Sequence, residues 1–326
     1  MNADTLDWSA LGRLRAAFLA GAAGAQDYWR GESDLASYDQ TFAQRIGWKW
    51  DFVLGELSRR GWSPPAGEVL DWGCGSGVAG RAFLDHFGVA AVTSLNLYDR
   101  SALAAGYARR QAHEKYPGLE VRLAQPDRPA VLLISHVLTE LNPDQAQALA
   151  DFAAGAQAVL WVEPGTYEAS LTLIAIRERL RGRLHVVAPC PHGGQCGLLA
   201  PGHERHWCHH FASPPSHVFT DPAWGRFAAL AGIDLRSLPL SYLVLDSRPR
   251  PSLPPGTTRV LGRPRVYKAH ARLLGCAAEG VRECQLTRRA HPEEFRRLRK
   301  GVWEPLQRWS VEDHSITALA PLPPRE

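Results

Sequence analysis

Apolar residues recur three and four positions apart in LGRLRAAFLAG and again in FAQRIGWKWDFVLGELSRR, which predicts helices within residues 1–60. The stretch between them, YWRGESDLASYDQ, is polar and aromatic and reads as a connection, and GWSPPAGE at 61–68 as a proline- and glycine-rich boundary. From there the period changes. EVLDW, AVTSLNLYD, LEVRLA, AVLLISHVL and AVLWVEPG read as strands. VAGRAFLDHFG, SALAAGYARRQAHEKY, PDQAQALADFAAG and TYEASLTLIAIRERLRG alternate with them as helices. This alternation predicts an α/β fold with a parallel sheet covered on both faces. RLHVVAPC adds a strand, and SYLVLDS at 241–247 reads as the last strand of the same sheet. A cysteine-rich insertion at 188–232, with a helix near 221–232, separates those two.

After RPRPSLPPG the tail leans to β structure in TRVLGRPRVYKAHARLLGC and VRECQLTRRA, and HPEEFRRLRKGVWEPLQRW reads as a basic helix. The expected organisation is a helical region at 1–60, a sheet domain at 61–247 and a β-rich basic extension at 248–326.

Composition narrows the picture only slightly. The chain has 326 residues, 45% hydrophobic and 21% charged, enough for a full core. A net charge of +4 permits an acidic partner without requiring one. No run approaches the roughly 20 apolar residues that cross a bilayer. Arg13 and Arg15 before AAFLAGAAGAQ imitate a secretory leader, but Asp4, Asp7 and the alanine content fit a helix better. A cytoplasmic, monomeric protein is expected, and there clustered cysteines bind metal more often than they pair.

The first chemical motif is Asp71-Trp-Gly73-Cys-Gly75-Ser-Gly77, after a strand and before a helix, with Asp99 ending the next strand. Glycines permit the tight turn and close approach of a ligand, and a carboxylate at that strand end suits ribose hydroxyls. The acidic-x-G-x-G-x-G spacing resembles motif I of Rossmann-like S-adenosylmethionine methyltransferases rather than the GxGxxG of dinucleotide folds. That resemblance implies Asp71, Gly73, Gly75, Gly77, Asp99 and Ser135 as cofactor-binding residues. Cys74 reads as a small loop filler. SHVLTEL after the fourth strand places Ser135, His136 and Glu140 near the pocket mouth, but it lacks the Asn/Asp-Pro-Pro-aromatic turn of amino-methylating enzymes, and no catalytic residue is assigned.

The second motif is APCPHGGQCGLLAPGHERHWCHHF at 188–211. Five residues separate Cys190 from Cys196 and eleven separate Cys196 from Cys208, with a fourth thiol available from Cys276 or Cys284. Four sulfur ligands suit zinc or an iron–sulfur cluster, and His192, His206, His209 and His210 leave a mixed zinc site open.

VEPGT, VAPCPHGGQC, HWCHHF and SYLVLDSR, in this order after the glycine loop, resemble the methyltransferase-like proteins of the small ribosomal subunit, a family with bacterial members and a mitochondrial assembly factor. The resemblance spans roughly residues 60 to 300. It implies S-adenosylmethionine, a 4Fe–4S cluster (zinc being the alternative) held by Cys190, Cys196, Cys208 and Cys276, and the small ribosomal subunit with its rRNA as partner. LLAPGHER pads the second gap of the loop relative to the family. Late basic residues fit an RNA partner: Arg263, Arg265, Lys268, Arg272, Arg288, Arg289, Arg296, Arg297, Arg299 and Lys300, with Tyr267 and Trp303 among them. Three functions follow as expectations: an rRNA methyltransferase, a non-catalytic assembly factor with a structural cluster, or a small-molecule methyltransferase with a zinc-bound lid.

Overall fold

A computed structural model describes residues 3–20 and 27–322. The end of the alanine-rich stretch therefore lies outside the described residues. Three helices open the chain, α1 (Trp8–Leu19), α2 (Glu32–Asp39) and α3 (Phe42–Arg59). The second falls where the sequence reads as a connection. Two of its polar residues, Asp34 and Ser37, are turned inward, which hides the helix from a periodicity reading. Asp34 is buried on Arg13 at 2.5 Å and on the Arg30 amide, and Ser37 accepts from the Asp7 amide.

The sheet follows with β1 (Gly67–Trp72), α4 (Val78–Phe87), β2 (Val92–Tyr98), α5 (Ala102–Lys115), β3 (Val121–Arg122), β4 (Val131–Ser135), α6 (Pro143–Ala153), β5 (Ala158–Pro164), α7 (Tyr167–Leu180) and β6 (His185–Ala188). Then come β7 (His210–Ala212), α8 (Pro222–Ala231) and β8 (Leu238–Asp246). Strand order is β3-β2-β1-β4-β5-β8-β6, with β7 also on β8. The sheet is mixed, not wholly parallel, because β8 runs antiparallel to both β5 and β6. Alternation within the strands feeds two cores: Val131 and Leu133 pack with Trp50, Leu54 and Phe83 on one face, and Leu132 and Ile134 pack with Leu149, Leu173 and Ile176 on the other.

The C-terminal strands β9 (Thr257–Val266), β10 (His270–Ala277), β11 (Gly280–Thr287), β12 (Leu306–Glu312) and β13 (Ser315–Pro321) close into a barrel ordered β10-β11-β13-β12-β9. Helix α9 (Pro292–Arg299) contributes Phe295 and Leu298 to its core. The predicted terminal helix thus stops early: Gly301 takes φ 72° and Pro305 follows, after which LQRW is strand, with Leu306 and Trp309 buried and Arg308 exposed.

Candidate functional site: a glycine-loop cavity and a buried thiol cluster

The glycine loop links β1 to α4 at the carboxyl end of the sheet. Gly73, Gly75 and Gly77 all take positive φ, at 68°, 52° and 81°. A Cβ on Gly73 would sit 2.8 Å from Val137 Cγ1 and one on Gly77 2.9 Å from Ala108 Cβ, whereas one on Gly75 would meet nothing within 4 Å. The first and third glycines therefore let the loop pack, and the second leaves open space beside the backbone.

Asp99 fixes that loop: the Gly75 amide donates to its Oδ2 at 2.8 Å and the Ser101 amide to its Oδ1 at 2.9 Å. Burial raises its pKa, these amides pulling the other way. Asp71 lies beneath the loop, fully buried, its Oδ2 accepting from the Gly80 amide at 2.8 Å in the first turn of α4. Burial pushes it up to about 7.

A cavity of about 430 Å³ opens over this loop. Gly73, Gly75, Asp99 and Ser135 line it, while Asp71 and Gly77 build its support without lining it. Its volume lies within the roughly 300–1,000 Å³ of small-molecule sites. The other wall comes from residues the sequence reading did not select: Tyr28, Trp29, Tyr38 and Ile46 from the N-terminal region. Tyr28 Oη reaches Glu140 Oε1 at 3.3 Å, and Ser101 Oγ donates to Asp27 Oδ2 at 2.6 Å. Burial pushes Glu140 up to about 7 against the pull of Arg100. The only available sequence signal was the density of aromatics in YWRGESDLASY.

His136 also lines the cavity, with φ 58°, a conformation uncommon outside glycine. Lys49 Nζ from α3 lies 3.3 Å from its Nε2. Burial pushes His136 well below the usual imidazole range, and the Lys49 charge adds to it. Burial likewise lowers Lys49 to about 7. Close by, Glu163 Oε1 accepts from Trp161 Nε1 and the Val137 and Leu138 amides, and burial raises its pKa to about 7. Lys49 has a depressed folded pKa, so its contribution is complete above the unfolded value near 10.5 and is lost as pH falls through about 7. Urea unfolding should therefore show wild-type stability falling relative to Lys49→Met by about 1 kcal/mol per pH unit from pH 9.5 to 7.5. Parallel curves would refute this account of Lys49.

The second candidate lies where the insertion meets the barrel. Cys190, Cys196 and Cys208 line one small cavity with Ile174, Arg177 and Tyr242. Cys276 reaches the same place from β10, packing with Cys196, Ile174 and Leu261. The four thiols are close enough to act on one another: burial raises the pKa of Cys208, and Cys190, Cys196 and Cys276 add to it, while Cys276 is raised by burial, then by Cys190 and Cys196. Cys284 is elsewhere, inside the barrel core beside Leu273 and Leu286. His210 Nε2 lies 3.6 Å from Cys208 Sγ and His192 Nε2 3.8 Å from Cys276 Sγ. His206 and His209 are occupied elsewhere, His209 stacking on Trp207 and His206 meeting Arg205 at 3.3 Å. Among the described residues, no group of three or more His, Cys, Asp and Glu side chains is set to hold a single metal ion.

Buried arginines hold the cysteine loop. Arg177 Nε donates to Cys190 Sγ at 3.2 Å, and its Nη2 to the Gly194 carbonyl at 2.7 Å. Arg60 donates to the carbonyls of Val187, Pro189 and Cys190, and Arg259 of the barrel to that of Pro189. Glu56 bridges Arg60 and Arg259. Burial opposes the Glu56 charge, yet the two guanidiniums hold the carboxyl well below the usual range.

No curated protein sequence matches the chain. Among solved structures, a Pyrococcus horikoshii protein described as a candidate RNA methyltransferase aligns at 9% identity and TM-score 0.39, covering 61% of this chain and 81% of that one. An uncharacterised Burkholderia thailandensis protein aligns at 11% and 0.39, over 77% and 96%. The plantazolicin methyltransferase BpumL, solved with SAH, aligns at 13% and 0.36, over 73% and 95%. The family model described as mitochondrial small ribosomal subunit Rsm22 matches residues 68–308, from β1 through the cysteine loop and into β12 of the barrel. By that match, the chain belongs to the Rsm22 family.

Proposed function

We propose that this chain binds S-adenosylmethionine in the glycine-loop cavity and acts on the small ribosomal subunit through its rRNA, with a 4Fe–4S cluster held by Cys190, Cys196, Cys208 and Cys276. The observation that carries the cofactor reading is Asp99 at the cavity wall, locked to the Gly75 amide, with lone pairs left over for ribose hydroxyls. The family description supplies the ribosomal partner. A cytoplasmic location belongs to the same proposal and would follow from a bacterial small subunit as that partner.

The thiol set fits a cluster by its chemistry. Cys190, Cys196 and Cys208 line one largely apolar cavity with Cys276 packed beside them, and burial raises the thiols of Cys196, Cys208 and Cys276, which favours their neutral form unless a cation compensates the charge. When bound, a cluster supplies a cross-link between the cysteine loop and β10. Arg177 would donate to the Cys190 sulfur, and Arg60 and Arg259 hold the backbone that carries it.

Calorimetric titration with S-adenosylmethionine tests the cofactor site. Asp99→Ala should weaken binding at least about tenfold by removing charge-assisted hydrogen bonds to the ribose. Equal affinities would sink the reading. Comparing rRNA methylation between deletion and wild-type cells then separates methyl transfer from an assembly role: a missing methyl group marks the former, an unchanged map with defective subunit maturation the latter.

A further inference from the structure

The barrel order, written in its own numbering, is 2-3-5-4-1 and closed. Its third and fifth strands, β11 and β13, pair in parallel, and a helix sits between the third and fourth. That is the topology of the OB-fold, whose second and third strands, with the loop joining strands 1 and 2, form its usual ligand face. Topology alone assigns no function, so the residues on that face decide.

Strand β10 has two different ends. Cys276, near its C-terminal end, packs on the cysteine loop, so that end is covered. His270 begins the strand roughly 20 Å away, estimated from the strand rise. There a tight turn, closed by the Tyr267 amide on the His270 carbonyl at 2.8 Å, presents Tyr267 with 46% of its surface exposed. Its ring stacks on His270, centroids 4.8 Å apart and planes 20° apart, and the Arg272 guanidinium lies 6.0 Å from the ring centre.

Charge concentrates on the same barrel. Residues 257–321 hold 13 Lys and Arg against 7 Asp and Glu, a net of +6, while the whole chain carries only +4. Arg265 and Arg272 share a single carboxylate, Glu283, which leaves one positive charge in surplus. Arg288 is held beside the turn by its backbone N–H, which donates to the Ala269 carbonyl, and its side chain, like that of Lys268, is exposed with no acidic partner among the described residues.

We propose that this end of the barrel is a binding face for single-stranded RNA. An unpaired base stacks on Tyr267, backed by His270, while Lys268, Arg272 and Arg288 neutralise the flanking phosphates. A duplex cannot use the aromatic platform, because its bases are already stacked. The choice of RNA rests on the ribosomal reading above; the face itself rests on the barrel.

Fluorescence anisotropy of the full-length chain with a labelled single-stranded RNA of about 12 nucleotides, a site size within the range for one such barrel, tests the face. Tyr267→Ala should raise Kd at least about fivefold with little change in salt dependence, whereas Lys268→Glu should raise Kd and flatten the salt dependence. Arg308→Glu, an equal charge change on exposed β12, should stay within about twofold of wild type. All three sites are exposed, and unchanged S-adenosylmethionine binding and circular dichroism would show that the fold is intact. Wild-type affinity in Tyr267→Ala, or duplex RNA binding as tight as single strands, overturns the proposal. Co-sedimentation with small subunits is scored separately: tight single-strand binding through Tyr267 without co-sedimentation would keep this face and remove the ribosomal reading.

Discussion

Glu56→Ala is expected to lower the free energy of unfolding by about 3–5 kcal/mol, the usual effect of removing one partner from a buried ion pair. Glu56, Arg60 and Arg259 are each about 1% exposed, and one carboxylate oxygen serves both guanidiniums. The substitution would leave two buried cations facing each other. Its effect should not be confined to α3, because Arg60 holds the carbonyls of Val187 in β6 and of Pro189 and Cys190 in the cysteine loop, and Arg259 belongs to β9 of the barrel. Glu56→Gln, which keeps the volume and one acceptor, should cost nearly as much if charge is what matters. Urea denaturation followed by tryptophan fluorescence measures both. A loss below about 1 kcal/mol in either variant would mean that water or a side-chain rearrangement already compensates the arginines.

That triad is also not legible in the sequence. The strands and helices from Gly67 to Leu180 were legible because each carries its own period, and the glycine loop because its residues are contiguous. Glu56, Arg60 and Arg259 carry no such signal. They are ordinary charged residues whose meaning arises when a helix from the N-terminal region and a strand from the tail close on one loop. The same holds for Lys49, which reads as the polar position of an amphipathic helix and is instead buried beside His136. Asp71 shows the converse: it belongs to the contiguous motif, but its carboxylate serves the start of α4 from below, and Asp99 is the acid that lines the cavity. In the tail, HPEEFRRLRKGVWEPLQRW reads as one basic helix although a strand follows Gly301 and Pro305, because LQRW has no β-branched residue to mark it.

The largest effect concerns metal content. The proposed cluster predicts that protein purified without oxygen carries about four irons and absorbs broadly near about 400 nm, and that Cys276→Ser loses nearly all of both. Cys284→Ser should retain them. Strand alternation makes the distinction: Cys284 pairs with Leu273 on the face of the β10–β11 hairpin that fills the barrel, whereas Cys276, opposite Val281, shares the outer face with Arg272 and Leu274. Replacing Cys284 should therefore cost only core packing, on the order of 1 kcal/mol. Replacing Cys276 should uncouple the barrel from the cysteine loop, so that limited proteolysis cuts the proline-rich 248–256 link faster in Cys276→Ser than in Cys284→Ser. Stoichiometric zinc in place of iron would replace the cluster with a single-ion site and require the thiols to draw closer together. Metal-free wild-type protein, prepared anaerobically and as resistant to proteolysis as any variant, would leave the four thiols as plain core residues and remove the cluster from the proposed function.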